Sequence, residues 1–165
     1  MAVIDQLLVH NAQYAQRFNQ GNLPTPPALH LAIVTCMDAR LDVYRLLGLN
    51  LGEAHVIRNA GGVVTDDVIR SLVISQRLLG TREILLIHHT DCGMLTFKDD
   101  ALKEQIEAEV GIKPPFAMEA FSDLTADLRQ SIARIKASPF LPHKEQVHGF
   151  LYDVKTGQLQ EVRSA

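Results

Sequence analysis

Three short apolar runs, LHLAIVT at residues 29 to 35, AHVIR at 54 to 58 and EILLI at 83 to 87, are separated by stretches that read as helices. Strands spaced by helical crossovers assemble into a mainly parallel sheet with helices on its faces. The third run is nearly all apolar, the pattern of a strand covered on both faces. The helical stretches carry their own stops and starts. LDVYRLLG ends at Gly48, the helix after NAGG starts at Thr65 and Asp66 and closes at Gly80, and TFKDDALKEQIEAEV runs to Gly111. SDLTADLRQSIARIKAS begins at Ser122 and stops before Pro139. A strand in QVHGFLYDV and a hairpin return in QLQEV follow, joined through Lys155, Thr156 and Gly157. Ahead of the sheet, Ile4, Leu7, Leu8, Ala15 and Phe18 fall at helical spacing, and GNLPTPP tethers that amphipathic helix to the rest. The expected class is α/β: a mainly parallel central sheet flanked by helices in one domain over residues 1–165, with residues 1–20 as an N-terminal helical arm.

A chain of 165 residues with 47% hydrophobic content can bury a substantial core. Its net charge of -3, with both signs mixed along the sequence, excludes the electrostatic footprint of a nucleic-acid or anionic-membrane binder and favours a small or neutral partner. The N-terminus has neither a basic segment nor a small-residue cleavage site, and no stretch approaches the roughly 18 apolar residues of a membrane span. A cytoplasmic location is therefore expected. In a reducing compartment, two cysteines point to metal or thiol chemistry rather than a disulfide.

Those two cysteines each follow an apolar run. Cys36 lies in VTCMDAR after the first strand, and Cys92 lies in IHHTDCGM after the third. Ligands in open α/β sheets bind beyond the carboxyl ends of strands where strand order reverses, so the two segments can meet there. Two cysteines and one histidine form an established zinc set that leaves a fourth position open. His89 stands two residues from Cys92 and can converge with it, whereas His88 on an extended segment points to the other side. Cys36, His89 and Cys92 are thus the expected ligands. In CMDAR, Cys36, Asp38 and Arg40 alternate, so an extended segment would turn all three to one side. An Asp38–Arg40 ion pair would satisfy itself beside the metal, the bland alternative being a surface salt bridge on a solvated loop. NAGG lets backbone approach closely, and Gly62 either lines the site or serves a plain turn. Asp91 reads as a residue that orients a ligand or, in the favoured reading, caps the following helix, and His88 as a structural histidine.

CMDAR at 36–40, RNAGG at 58–62 and HTDCG at 89–93, in this order and with these separations, resemble the beta-class carbonic anhydrases. Where that family often has glycine before the ligand histidine, this chain has His88. The resemblance implies zinc on Cys36, His89 and Cys92, an Asp38–Arg40 dyad beside it, and a Gly93 backbone N–H offered to substrate or product. It also implies a homodimer or larger even assembly with the site near the subunit interface. The implied activity is reversible hydration of carbon dioxide to bicarbonate by zinc-bound hydroxide, with Asp38 accepting a hydrogen bond from the hydroxide and Arg40 holding the carboxylate. Two thiolates offset the charge of the ion, so hydration is expected to rise toward alkaline pH, and Asp38 swinging onto the zinc would close the site. Hydrolysis of carbonyl sulfide or carbon disulfide on the same zinc is the enzymatic alternative. A non-catalytic zinc-binding regulatory protein is the alternative from another class. Thiol redox chemistry is disfavoured, because the cysteines lack Cys-x-x-Cys spacing.

Overall fold

The computed structural model describes residues 2–163. Its sheet contains β1 (Leu31–Cys36), β2 (Ala54–Asn59), β3 (Glu83–His89), β4 (Val147–Tyr152) and β5 (Leu159–Glu161), in the order β2-β1-β3-β4-β5. The first four strands are parallel, and β5 returns antiparallel to β4. From β1 the chain crosses through α2 (Val43–Leu47) to β2 on one side, then through α3 (Asp66–Arg77) to β3 on the other. Strand order therefore reverses between β1 and β3, as the motif argument requires.

Alternation along the central strands sorts the core. Ala32, Val34, Ile84 and Leu86 pack with Val68 and Leu72 of α3 and with Leu128, Ile132 and Ile135 of α5 (Leu124–Ala137). Ile33 and Ile87 face Val43 of α2. This second face has only a five-residue helix against it, and Leu31, Val56, Leu85 and Tyr152 there stay half-buried.

Local chemistry sets the element ends. The Thr65 hydroxyl accepts from Val68 N–H to cap α3, while α2 and the helix α4 (Asp99–Val110) stop at the left-handed glycines Gly48 and Gly111. Asp123, rather than Ser122, caps α5: its carboxylate accepts from Ala126 N–H at 2.9 Å, and a negative charge there also suits the helix dipole. α4 begins at Asp99, later than the pattern predicts, because Gly93–Leu95 forms a 3-10 turn and the Thr96 hydroxyl bonds back to Gly93 O at 2.7 Å. β3 runs two residues further than its apolar core, since His88 and His89 pair with Leu151 and Tyr152 of β4.

The helical arm is present as α1 (Val3–Arg17), and every one of its residues is exposed. No helix among the described residues is long and apolar enough to cross a membrane.

Candidate metal centre

The register of β1 against its neighbours builds the site. Thr35 pairs with Ile87 and Cys36 with Asn59, so Cys36, the end of β3 and the segment after β2 reach the same carboxyl edge. Thr35 is fully buried, and its hydroxyl donates to Ile87 O at 2.8 Å, which ties the two strands just below the site. Arg58 braces the exit from β1: Nε donates to Cys36 O at 2.9 Å and Nη2 to Asp38 O at 2.7 Å. Gly62 lies against the same exit with φ +69°, its missing Cβ directed at Cys36 N and the Thr35 carbonyl carbon. It is buried against the β1 backbone, so its visible role is close packing. Gly93 instead opens the 3-10 turn after Cys92 in open space.

One ligand atom from each of Cys36, His89 and Cys92 lies within 4.8 Å of the other two, and all three residues are buried. Met94, Phe97 and Phe121 close around the cysteines. His89 Nδ1 is 2.9 Å from Thr90 O, where it can only donate, so the proton of a neutral ring sits on Nδ1. That leaves Nε2 as a lone pair, and Nε2 is buried without a partner, at 3.8 Å from Asp38 Oδ2. Fixing the far nitrogen to a carbonyl is how proteins aim an imidazole at a metal. The cysteines make the same demand electrostatically. A hydrogen bond from Cys92 holds the Cys36 thiol far below its ordinary range, and the same bond, with burial, pushes Cys92 far up. Two buried thiolates this close cannot both ionise unless a cation joins them. The donor set fits a dipositive, thiolate-preferring ion such as zinc.

Asp38 and Arg40 do form a pair, though not by strand alternation. β1 ends at Cys36, and a turn closed by Leu41 N–H to Asp38 O at 3.1 Å brings the two side chains together. Arg40 donates from Nε to Asp38 Oδ1 at 3.0 Å and from Nη2 to Oδ2 at 2.7 Å, and its backbone N–H adds a bond to Oδ1 at 2.8 Å. These bonds hold the carboxyl well below the usual carboxylate range. The expected capping role of Asp91 is overturned. Its carboxylate accepts from Arg40 Nη1 at 2.7 Å, and the turn it precedes has no side-chain cap. His88 points away from the ligands: Nε2 lies 2.7 Å from Asp127 Oδ2 on α5, and the ring stacks on Phe121.

Comparison with known proteins matches this geometry. The family model described as carbonic anhydrase spans residues 31–113, from β1 through the ligand turn and α4. Beta-carbonic anhydrase 1 of Mycobacterium bovis is 60% identical over 162 residues, covering 98% of this chain and 99% of the relative. The chain belongs to the beta-carbonic anhydrase family. A solved carbonic anhydrase from Streptococcus mutans superposes with a TM-score of 0.92 at 44% identity, covering 99% of each chain. A more distant relative, carbon disulfide hydrolase of Saccharolobus solfataricus, is 32% identical across 96% of this chain and 88% of its own. For a beta-carbonic anhydrase, motif reading passed over Arg58, which braces the Cys36–Asp38 backbone, and gave a capping role to Asp91, which instead meets Arg40. Arg58 opens the RNAGG motif, and a cation at a strand end beside a turn of free carbonyls was the signal available for it.

Proposed function

We propose that the chain catalyses the reversible hydration of carbon dioxide to bicarbonate, with zinc held by Cys36, His89 and Cys92. The observation that carries this reading is the buried, unpartnered His89 Nε2 facing two cysteines, next to a carboxylate already gripped by an arginine. When bound, zinc supplies a water acidic enough to lose its proton near neutral pH. The side chains supply the orientation. Asp38, held ionised by Arg40, is acceptor-only, so it takes a hydrogen bond from the attacking oxygen and turns that oxygen's lone pair toward the substrate carbon. Water and carbon dioxide then give bicarbonate and one proton, which passes to solvent. The reducing cytoplasm suits this site, because it keeps both cysteines as thiols. The active form is a homodimer or larger even assembly, in which the exposed α1 arm packs on a second copy.

Hydrolysis of carbon disulfide or carbonyl sulfide is the second reading, favoured by the 32% identical relative; the 60% identical relative favours carbon dioxide. Parallel assays on the three gases decide between them. Metal analysis is expected to find one zinc per chain, lost in Cys92→Ser. Asp38→Asn should keep the zinc and lower hydration about 10–100-fold, because an amide cannot accept on both sides as a carboxylate does. Full zinc in Cys92→Ser, or wild-type rates in Asp38→Asn, would remove those residues from the site.

A further inference from the structure

A guanidinium held by a single exposed carboxylate keeps much of its freedom, since such pairs contribute little in water. The Arg40 side chain is 46% exposed, yet its donors are divided between two segments of the chain. Nε and Nη2 grip Asp38 at 3.0 and 2.7 Å; Nη1 donates to Asp91 Oδ2 at 2.7 Å, and Nη2 also donates to Asp91 O at 3.0 Å. The Asp38 bonds occupy one edge of the planar fork, and the Asp91 bonds fix its far end. Asp91 stands between His89 and Cys92 in a left-handed conformation with φ +55°, which Asp, Asn and Gly tolerate and most residues do not. The residue that steadies Arg40 is thus part of the same short turn that delivers two of the three ligand side chains.

We propose that Asp91 is a positioning residue for the hydration reaction: it clamps Arg40 so that the guanidinium presents its fork to Asp38, and so couples the dyad to the ligand turn. The proposal rests on the hydration reading above. Without the Asp91 carboxylate, Nη1 loses its partner and only the Asp38 bonds and the Asp91 backbone carbonyl steady the guanidinium, so the two-point grip on Asp38 is held less firmly. The Asp91 bonds go to Arg40 rather than to the ligand atoms, so zinc binding is expected to stay unchanged.

Asp91→Asn isolates the charge, since asparagine keeps the left-handed backbone and one acceptor oxygen. In the zinc-loaded protein, kcat is expected to fall about tenfold with KM and zinc content unchanged. In an Arg40→Ala background the same substitution should change kcat by less than about twofold, because its only route to the reaction is gone. Asp91→Gly preserves the backbone and removes the carboxylate altogether, so it should lose at least as much and covers the case in which the asparagine variant folds poorly. Separate from activity, ¹⁵N spectra should show distinct Arg40 Nη signals in the wild type and faster exchange between them in Asp91→Asn, as one restraint on rotation about Nε–Cζ is removed. Wild-type kcat in both variants, equal losses with and without Arg40, or unchanged Nη signals would overturn the clamp. A wild-type protein without hydration activity would overturn the function instead, and the Nη signals would still decide the pairing.

Discussion

At Gly62 the chain turns back onto β1, and an added Cβ would stand 2.8 Å from both Cys36 N and the Thr35 carbonyl carbon. Backbone cannot yield as a flexible side chain can, and φ +69° is itself costly for any residue with a Cβ. Gly62→Ala should therefore destabilise the fold by about 2–4 kcal/mol, from the left-handed strain and the overpacking together. Because the displaced backbone is that of Cys36, zinc affinity should fall too. Gly93→Ala is the matched control: a Cβ there meets nothing within 4 Å. Thermal melts and zinc titrations on the two variants separate a packing glycine from an open one, and equal effects would contradict this assignment. His88 shows the same dependence on surroundings. It adjoins a ligand in sequence, but the strand turns it to Asp127 on the opposite face.

Among the elements, α4 has no buried residue, yet its first turn organises the segment that closes the site. Asp99 accepts from the N–H groups of Met118, Glu119 and Ala120 at 2.8, 3.1 and 2.8 Å, around a left-handed Glu119 with φ +62°. The loop so anchored delivers Phe121 to the cysteines and to His88. Burial works to raise the Asp99 pKa, but the three donors prevail and it ends lowered. Asp99→Asn replaces one acceptor oxygen with a donor and should cost about 1–2 kcal/mol. The sign with pH follows: a depressed folded-state pKa contributes stability above the unfolded value of about 4 and loses it as pH falls through the folded value. Denaturant melts should thus show a wild-type advantage that is constant near neutrality and shrinks below about pH 4. An advantage independent of pH would mean that the carboxylate charge is not what holds the loop. This anchor was not legible in the sequence, where nothing in residues 112–121 marks a partner for Asp99. The strands were legible, because apolar runs declare themselves locally, and so was the convergence of Cys36, His89 and Cys92, because strand ends meet by topology. The Arg40–Asp91 bond was not, since it needs a turn after Cys36 where alternation suggested extended chain, and a contact spanning 51 positions.

For the whole molecule, the arm poses a problem: its apolar stripe has no cover among the described residues. An isolated helix of about 12–15 residues is marginal in water even with good helix formers, and helices in proteins draw their stability from a packed apolar face. α1 has 15 residues and no buried one; Val3, Ile4, Leu7 and Leu8 are more than half exposed, and Tyr14 packs on Phe18 at the end of its own arm. In the assembly proposed above, a second copy of the chain would supply that cover, and the tether GNLPTPP would let the arm leave its own sheet. Light scattering should therefore report a dimer or larger even assembly. Replacing Ile4 and Leu8 by Glu puts two charges into the stripe without a helix breaker, and should shift that assembly toward monomer at micromolar concentration. Zinc content per chain should not change, because no ligand lies on the arm. A monomeric wild type with full activity, or a doubly charged arm that leaves the mass unchanged, would show that the stripe packs on something other than a second copy.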